Sequence, residues 1–371
     1  MTRFAHITGW GMAVPEKVLT NEDIARMVDT TDDWIVSRTG IRERRIASQD
    51  QSSASLATDA ALKALEVADL KPREVDLIIV ATSSPEYLFP ATACVVQDQI
   101  GAKKAGAFDL SAACTGFIFA VNMAAQAIQS GAIDNALVIG AETLSRLTNW
   151  QDRNTCILFG DGAGAFVLQM SYEPGGVLSA VMRSDGSGGN SLYVPAGGSR
   201  IPTTAETVAQ GLHYIHMNGR EVYRFATRVM TQATQEAVAD AKLKMEDIDL
   251  IIPHQANQRI IEAAARGLDF PMEKVISNVD RYGNTSTASI PIATCEAFKD
   301  GRLHPGDKIV FVGFGAGLTW GAAVAQWTGP VTVRRRHYLP PSYRAWARLR
   351  SILRRLMRRI EGLIWGRYLY L

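Results

Sequence analysis

The amino-acid sequence predicts an α/β fold built from two similar halves, and two observations carry this prediction. An Asp-Leu-Ile-Ile segment at residues 76–79 recurs at 249–252, which is 173 residues later. Each copy follows an Ala-rich helical stretch. Further along the chain, each copy is followed by a glycine that ends a helix and then by a second apolar run, at 136–140 or 308–313. Because these runs lie between helices and lack polar alternation, they indicate sheets that helices cover on both faces. Two such halves, stacked together, give a duplicated layered α/β architecture.

The same repeat divides the chain into two halves and a tail. We expect an N-terminal half at 1–172, a C-terminal half at 173–330 and a separate tail at 331–371. Residues 184–204 are rich in Gly, Ser and Pro, so they form either the connection between the halves or a long functional loop.

The composition indicates a globular protein with an uneven charge distribution. Of the 371 residues, 47% are hydrophobic and 20% are charged, which excludes a disordered or fibrous chain. The formal net charge of +2 hides an asymmetry, because residues 331–371 contain eleven arginines and one glutamate, a net charge of +10. Residues 1–330 carry a net charge of −8. The body and the tail therefore need separate explanations.

The cysteines and the apolar runs indicate the cellular setting. Four widely spaced cysteines without a CxxC pair argue against a zinc site or a disulfide framework and favour reduced thiols. No signal peptide is recognisable, and no apolar run reaches the roughly 18–20 residues that a bilayer requires. We expect a cytoplasmic protein that holds no metal and binds no nucleic acid.

Cys114 is the strongest candidate for a nucleophile. It lies where a strand-like segment changes into a helical pattern at about residues 116–129, so the helix N-terminus favours the thiolate over the thiol. Small neighbours leave room for a substrate, and a buried core cysteine is the alternative interpretation. Cys94, Cys156 and Cys295 lack this context, and we expect them to be packing residues.

His254 and Asn284 are the candidate partners of that thiol. Among six histidines, His254 alone directly follows a predicted buried strand, at the end where α/β sheets place their sites. Asn284 lies in the second-half counterpart of the cysteine turn, and its amide can donate to a developing oxyanion without a change of charge. If each residue is considered alone, the alternative for His254 is a structural histidine in a loop, and the alternative for Asn284 is an asparagine that forms a turn.

Two further motifs contain alternating glycines, at 160–164 and 313–317. Each precedes a strand-like segment instead of a helix, and neither contains Gly-Lys-Ser/Thr, so neither predicts a dinucleotide site or a phosphate loop. We interpret them as tight turns beside a pocket, with the backbone N–H near Ala316 as a further oxyanion donor.

At these residues the chain resembles the 3-oxoacyl-[acyl-carrier-protein] synthase III family, the condensing enzymes that initiate bacterial type II fatty acid synthesis. The resemblance spans about residues 4–327. The motifs that carry it are residues 33–42, 113–114, 159–163, 254–257 and 283–286. It implies a thiolase-like fold with α-β-α-β-α layers, a homodimer, and a Cys-His-Asn triad on Cys114, His254 and Asn284. Elongating condensing enzymes, with a Cys-His-His triad, and hydroxymethylglutaryl-CoA synthases, with a glutamate base, are disfavoured.

The resemblance implies an acyltransferase with two half-reactions. Cys114 takes the acyl group from an acyl-CoA, for which acetyl-CoA is the expected primer, and malonyl-ACP then loses CO2. His254 and Asn284 stabilise the resulting enolate, and the N–H groups of Cys114 and Ala316 hold the oxyanion. No metal or redox cofactor is required. The alternatives are a related synthase for longer primers or secondary metabolism, and a non-catalytic scaffold.

Substrate contacts follow from the same resemblance. Trp34 is expected to stack on the CoA adenine, with Arg38 and Arg153 on the phosphates, which suits a planar indole and guanidinium groups. Phe89 resembles the residue that reaches across the dimer to bound the partner's acyl pocket. For Trp34 and Phe89, core packing is the alternative interpretation.

A basic patch predicts the docking site of the acyl-carrier protein. Arg220, Arg224 and Arg228 recur every four residues and therefore share one face of a predicted helix. Arg259 and Arg266 follow the histidine turn and extend this patch, which suits an acidic carrier helix. An ordinary solvated face is the alternative. The same docking site is expected to include the residues Gln255, Ala256, Asn257 and Gln258.

The tail lies beyond the resemblance, and its pattern predicts a basic amphipathic helix at 342–364. Apolar residues recur at steps of three and four, and arginines gather on the opposite side. The apolar positions are Trp346, Leu349, Leu353, Leu356, Met357, Ile360 and Ile364. This pattern is typical of a helix on an anionic membrane surface, which would make the protein peripheral to the membrane. The alternatives are docking on the body through the apolar stripe and a disordered end.

Overall fold

A computed structural model describes residues 1–329 and 341–365. The strands are β1 (Phe4–Ala13), β2 (Val18–Thr20), β3 (Glu43–Arg45), β4 (Leu77–Ala81), β5 (Gly106–Leu110), β6 (Asn135–Thr143), β7 (Asp161–Ser171), β8 (Gly176–Ser184), β9 (Leu192–Tyr193), β10 (His216–Met217), β11 (Leu250–Pro253), β12 (Lys308–Gly315) and β13 (Thr319–Gln326). The α-helices are α1 (Asn21–Ala25), α2 (Asp32–Thr39), α3 (Ser53–Val67), α4 (Thr92–Ile100), α5 (Gly116–Gln129), α6 (Ala205–Ala209), α7 (Gly219–Asp240), α8 (Gln258–Gly267), α9 (Val279–Tyr282), α10 (Ser289–Lys299) and α11 (Pro341–Trp365).

The apolar segments of the sequence repeat become two strands, β4 and β11, in two separate sheets. The first sheet has the order β1-β7-β6-β4-β5, and β4 is parallel to both of its neighbours. The second sheet has the order β11-β12-β13-β8, and β11 is parallel to β12. Both segments are almost entirely buried, as the lack of polar alternation predicts.

The chain passes from the first sheet to the second between β7 and β8. Strand β7 pairs with β1 and β6, whereas β8, which begins at Gly176, forms the edge of the second sheet beside β13. The interpretation of residues 184–204 as the connection between the halves is therefore wrong. These residues lie within the second half, where they include β9. The proposed boundary at residue 172 falls in the short link between β7 and β8.

Helices cover both sheets and also separate them. Helix α5 packs on strands of both sheets, and α10 packs on β1, β7 and β11, so these two helices form the central layer. Helices α3 and α4 cover the outer face of the first sheet, and α7 and α8 cover that of the second. The result is the expected α-β-α-β-α arrangement. Its central core includes the fully buried rings of Phe117, Phe166, Phe311 and Trp327.

The repeat extends to the turns that begin the two central helices. Ala113 (φ 48°) starts the turn before α5, and Ser286 (φ 47°) starts the turn before α10. These two positions are 173 residues apart, which is the spacing of the sequence repeat. Left-handed backbone is uncommon at residues other than glycine and is concentrated at functional sites. The counterpart of Cys114 is therefore Thr287, and Asn284 lies three residues earlier in the matching turn.

The C-terminal helix α11 packs on α4 through its polar side. Tyr343 donates a hydrogen bond to the carbonyl oxygen of Ile100, and Arg354 forms an ion pair with Asp98 at 3.1 Å. Ser351 donates a further hydrogen bond to Asp98. The stripe residues from Trp346 to Ile360 are exposed, so the alternative of docking on the body through this stripe is wrong. The side chain of Ile364 lies outside the described residues. None of the helices in the described part of the chain, α11 included, is long and apolar enough to cross a membrane.

Candidate active site

A cavity of about 960 Å³ contains the predicted catalytic residues. Its walls come from both halves of the chain, and its buried part is lined by Cys114, His254, Asn284 and Phe314. Leu192, from the loop at 184–204, also contributes to the wall. The lining at the more exposed end includes Trp34, Arg38, Arg220, Arg224 and Arg259.

Cys114 lies just before α5, but its thiol is not activated in the resting protein. The residue is only 8% exposed, and burial raises the pKa of the thiol to about 12. The hydroxyl of Ser286 opposes this shift, and the negative charge of Glu142 adds to it. Burial therefore disfavours the thiolate in the resting site, contrary to the expectation from the helix N-terminus.

The three other cysteines do not line the cavity in the described part of the chain. Cys156 and Cys295 are buried, as expected of packing residues, and burial raises the pKa of both thiols. Cys94 is exposed on α4, so the expectation of a packing role is wrong for this residue.

His254 follows β11 and is held as a neutral imidazole. The ring is fully buried, and burial lowers its pKa to about 3. Nδ1 of His254 lies 2.7 Å from the hydroxyl oxygen of Ser289, the first residue of α10. That hydroxyl oxygen also accepts the backbone N–H of Gln255 at 3.3 Å, which favours donation of the hydroxyl proton to Nδ1. The imidazole proton is then on Nε2, which has no hydrogen-bond partner among the described residues.

Backbone pairing with the first half fixes the position of Asn284. Its N–H donates to the carbonyl oxygen of Leu158 at 2.8 Å, and its carbonyl oxygen accepts the N–H of Gly160 at 3.0 Å. The side-chain Oδ1 accepts the N–H of Ser286 at 2.8 Å. Because the amide oxygen is engaged in this way, Nδ2 is the group that Asn284 offers to the cavity as a donor.

The Thr319 hydroxyl lies between the turn that contains Cys114 and the turn that contains Ala316, the two turns predicted to hold the oxyanion. Its hydroxyl oxygen lies 3.0 Å from the carbonyl oxygen of Ala112 and 3.1 Å from that of Ala316. A Cβ atom on Gly315 would lie only 2.7 Å from the backbone nitrogen of Cys114, so the absence of a side chain allows β12 to approach the cysteine turn. The N–H groups of Cys114 and Ala316 therefore belong to neighbouring, mutually fixed turns.

Glu142, at the end of β6, is a buried site residue that sequence reasoning missed. Its carboxylate accepts hydrogen bonds from the backbone N–H of Ser83 (3.1 Å) and from the hydroxyl groups of Ser84 (2.6 Å) and Thr287 (2.9 Å). Burial raises the pKa of this carboxyl, and its hydrogen bonds oppose the shift. Glu142 therefore joins the turn after β4 to the turn that contains Asn284. The feature of the sequence that could have identified Glu142 is its position at the end of the apolar run that forms β6.

Trp34 and two arginines form a cluster, of which Trp34 and Arg38 line the cavity and Arg153 lies outside the cavity lining. The guanidinium carbons of Arg38 and Arg153 each lie 4.8 Å from the centre of the Trp34 ring, within cation–π distance. Trp34 also packs against the buried cluster of Ile24, Ile35, Cys156 and Ile157, so it has a structural contact besides its position on the cavity wall. Phe89 is 85% exposed, so core packing is the wrong interpretation for this residue.

The predicted docking arginines divide into two groups. Arg220, Arg224 and Arg259 are exposed and line the cavity. Arg228 and Arg266 are exposed as well, but they do not belong to the cavity lining in the described structure. Arg266 lies 3.9 Å from Glu262, with which it forms an ion pair.

The loop between His254 and α8 has a largely structural role. Gln255 is buried and donates hydrogen bonds to the carbonyl oxygens of Pro253 (2.7 Å) and Ile276 (3.1 Å), so a docking contact through its side chain is wrong. Ala256 and Asn257 line the cavity, and Asn257 also caps the N-terminus of α8. The side chain of Gln258 bonds to Glu262 and Ser277, which leaves Arg259 as the exposed charged residue of this segment.

Comparisons with known proteins point to one family. The family model for 3-oxoacyl-[acyl-carrier-protein (ACP)] synthase III matches residues 108–186, and the model for the C terminal part of this enzyme matches residues 238–327. Beta-ketoacyl-[acyl-carrier-protein] synthase III of Symbiobacterium thermophilum is 58% identical over 321 residues. That match covers 86% of this chain and 97% of the relative.

Solved structures share the same architecture. The crystal structure of 3-oxoacyl-[acyl-carrier-protein] synthase III from Aquifex aeolicus VF5 is 47% identical, with a TM-score of 0.81, and the match covers 87% of this chain and 100% of that one. The priming beta-ketosynthase from the R1128 polyketide biosynthetic pathway is 34% identical, with a TM-score of 0.82. This second match covers 89% of this chain and 98% of the other.

The duplicated five-layered fold, with a cavity lined by cysteine, histidine and asparagine, defines a thiolase-like condensing enzyme. Sequence identity and coverage then show that the chain belongs to the 3-oxoacyl-[acyl-carrier-protein] synthase III family. It is an acyltransferase of fatty acid synthesis, in a family that works with acyl-carrier protein, acyl-CoA and malonyl-ACP.

Replacement of Ser289 by alanine should change the tautomer of His254. Without the hydroxyl at Nδ1, the imidazole proton is no longer held on Nε2, and the ¹⁵N chemical shifts of the ring should report a larger share of the Nδ1–H form. The rate of condensation should fall about fivefold, the equivalent of one neutral hydrogen bond.

Thr294→Val is the matched control for Ser289→Ala. Thr294 also carries a buried hydroxyl on α10, but it donates to the carbonyl oxygen of Ile290 and has no contact with the histidine. Identical ring shifts in the two variants would contradict the positioning role of Ser289.

Proposed function

We propose that the chain catalyses the priming condensation of fatty acid synthesis through an acyl intermediate on Cys114. In the first half-reaction the Cys114 sulfur attacks the thioester carbonyl of an acyl-CoA, and the bond from this carbonyl to the CoA sulfur breaks. CoA leaves as its thiol with the proton that Cys114 gives up. Because burial raises the pKa of the Cys114 thiol, this proton leaves during the attack and not before it. The oxyanion accepts hydrogen bonds from the N–H groups of Cys114 and Ala316.

In the second half-reaction malonyl-ACP loses CO2, and the electron pair of the broken C–C bond becomes an enolate on the thioester. Nε2–H of His254 and Nδ2–H of Asn284 donate hydrogen bonds to the enolate oxygen. The enolate carbon attacks the acyl carbonyl on Cys114, the bond from this carbonyl to the Cys114 sulfur breaks, and the sulfur takes a proton from water. The products are 3-oxoacyl-ACP and CO2. Each step moves an acyl group, CO2 or a proton, so this sequence calls for no metal and no redox cofactor.

The observation that carries the proposal is the position of three groups on one cavity. Cys114, the neutral His254 and the amide of Asn284 all line its buried part. Ser289 and Glu142 support this arrangement through their hydrogen bonds, and we assign positioning roles to both. The tryptophan–arginine cluster suits the adenine and phosphates of CoA.

The primer that we propose is acetyl-CoA, in line with the family resemblance. A second candidate is a related synthase that uses a longer primer or serves secondary metabolism. The similarity to a priming ketosynthase of a polyketide pathway favours this second candidate, because the two folds match over almost their whole length. Acyl choice depends on the shape of the pocket and not on the triad.

Separate assays of the two half-reactions test the proposed function. Cys114→Ser should abolish transfer of radiolabelled acyl groups from acyl-CoAs to the protein. His254→Ala and Asn284→Ala should retain this transfer but slow condensation with malonyl-ACP by about 10²–10³-fold, the typical cost of one oxyanion donor. A series of acyl-CoA chain lengths, measured with the wild-type protein, identifies the primer.

Two results of these assays would count against the proposal. No labelling of the wild-type protein by any chain length would remove the synthase function. Equal loss of both half-reactions in His254→Ala and Asn284→Ala would remove their assignment to the enolate.

The acyl-carrier protein, in our proposal, docks on the arginines at the exposed end of the cavity. Arg220 and Arg224 lie one turn apart on α7, and Arg259 lies over the ring of Tyr223 at 5.6 Å, so α7 and α8 both contribute. An acidic carrier helix placed there brings its prosthetic arm to the cavity that contains Cys114. Arg228 and Arg266 lie outside the cavity lining and are assigned a minor role.

Charge reversal at the cavity arginines should weaken carrier binding selectively. Arg224→Glu combined with Arg259→Glu should raise the KM for malonyl-ACP about tenfold or more and spare acyl transfer from acyl-CoA. The matched control is Arg228→Glu combined with Arg266→Glu, which reverses the same number of charges outside the cavity. Equal effects of the two double variants, or equal loss in both half-reactions, would contradict this docking site.

We also propose a cytoplasmic homodimer formed through β5. This strand is the edge of the first sheet, and an unpaired edge favours pairing with a second copy. Tyr87, Leu88 and Phe89, just before α4, are each more than half exposed, and Phe108 on β5 is partly exposed. In such a dimer Phe89 is placed to reach the partner's acyl pocket. A second exposed apolar surface, on α11, suits peripheral contact with a membrane.

A further inference from the structure

We propose that α11 attaches this enzyme to the surface of an anionic lipid bilayer, with one apolar stripe of the helix buried at the level of the headgroups. The stripe consists of Trp346, Leu349, Ile352, Leu353, Leu356, Met357 and Ile360. This inference develops the membrane contact named above and does not depend on the catalytic roles of the cavity residues.

The stripe is a continuous exposed surface. Its seven side chains are each between 48% and 65% exposed, and they recur at steps of one, three and four residues along one side of the helix. From Trp346 to Ile360 the stripe is about 21 Å long, at 1.5 Å per residue. An exposed apolar surface of this kind marks an interaction site, because soluble surfaces rarely carry one.

The contacts with the body hold the stripe outward. Ala347 and Ser351 are buried against the body, and they lie on the side of the helix away from the stripe. Asp98 of α4 binds both Ser351 and Arg354, which fixes the rotation of α11 about its own axis. The body therefore packs on the polar side, and the apolar side is available to a planar partner.

The charge of the tail matches an anionic bilayer. Residues 331–371 carry eleven arginines and one glutamate, and basic residues close to an anionic surface are attracted to it. The rest of the chain has a net charge of −8 and is not attracted to such a surface. A stripe with a tryptophan and leucines on one side and arginines on the other is the pattern of helices that lie in the membrane interface.

A second copy of the chain fits the stripe less well. Pairing of two α11 helices through their stripes would bring two tails of net charge +10 together, which costs electrostatic free energy. The tail also lies outside the family match, which ends at residue 327. The helix is therefore an addition to the catalytic body, and its partner differs from the partners that the whole family shares.

Co-sedimentation of the full-length protein with vesicles tests this inference. One vesicle preparation contains phosphatidylcholine only, and the other contains phosphatidylcholine with phosphatidylglycerol. The test variant is Leu353→Glu combined with Leu356→Glu. The matched control is Tyr172→Glu combined with Leu178→Glu, which changes the net charge equally at exposed apolar positions of the body.

The wild-type protein and the control should bind the anionic vesicles about tenfold or more better than the neutral ones, and the test variant should lose this binding. Acyl transfer to Cys114 should be unchanged in all three proteins, so failure of the membrane contact is distinguishable from failure of the proposed function. Absence of wild-type binding, or equal binding by the two variants, would overturn the inference. A fall in oligomeric state of the test variant without lipid would overturn it too, because the stripe would then bind a second copy.

Discussion

The geometry of the active site depends on one buried carboxylate that connects the two halves of the fold. Glu142 belongs to the first sheet and accepts a hydrogen bond from Thr287, at the turn before α10. Beside it, a Cβ atom on Gly140 would lie only 2.2 Å from the carbonyl oxygen of Thr287, so the two backbones are in direct contact. A buried carboxylate keeps its favourable environment only while its donors stay in place. Glu142 therefore fixes the turn after β4 relative to the asparagine turn. Thr287 in turn lies against the cysteine turn, because a Cβ atom on Gly116 would be 3.4 Å from Cγ2 of Thr287.

Burial of the site has opposite effects on its two titratable partners. It raises the pKa of the Cys114 thiol and lowers the pKa of the His254 imidazole, because in each case burial disfavours the charged form. Both groups are therefore neutral in the resting protein. In the mechanism that we propose, charge develops only during the reaction, where the fixed N–H donors of Ala316 and Asn284 would stabilise it. Such a site stabilises the transition states more than it stabilises the resting protein.

Much of the fold could be predicted from the sequence because the repeat of 173 residues is preserved in both sheets and in the turns at Ala113 and Ser286. The triad candidates were identifiable because they follow strands or begin helices. Glu142 and Ser289 could not be identified in this way. A glutamate near the end of a strand and a serine at the start of a helix give the same sequence pattern whether the side chain is buried or exposed to solvent. The sequence also predicted the two sides of α11. Which side packs on the body depends on Asp98, a residue of another helix, and no local pattern contains that information.

The most direct test of this account is the rate of acyl transfer from a radiolabelled acyl-CoA to Cys114 in Glu142→Gln. The amide of glutamine is nearly the same size, but its NH₂ group would face the N–H and hydroxyl donors that the carboxylate now accepts. If Glu142 holds the turn after β4 and the asparagine turn in register, acyl transfer to Cys114 in the folded variant should be slower by a factor of about ten or more. Hydrogen bonds to a charged group contribute about 1.5–3 kcal/mol. A loading rate equal to that of the wild-type protein would contradict the central role of this carboxylate.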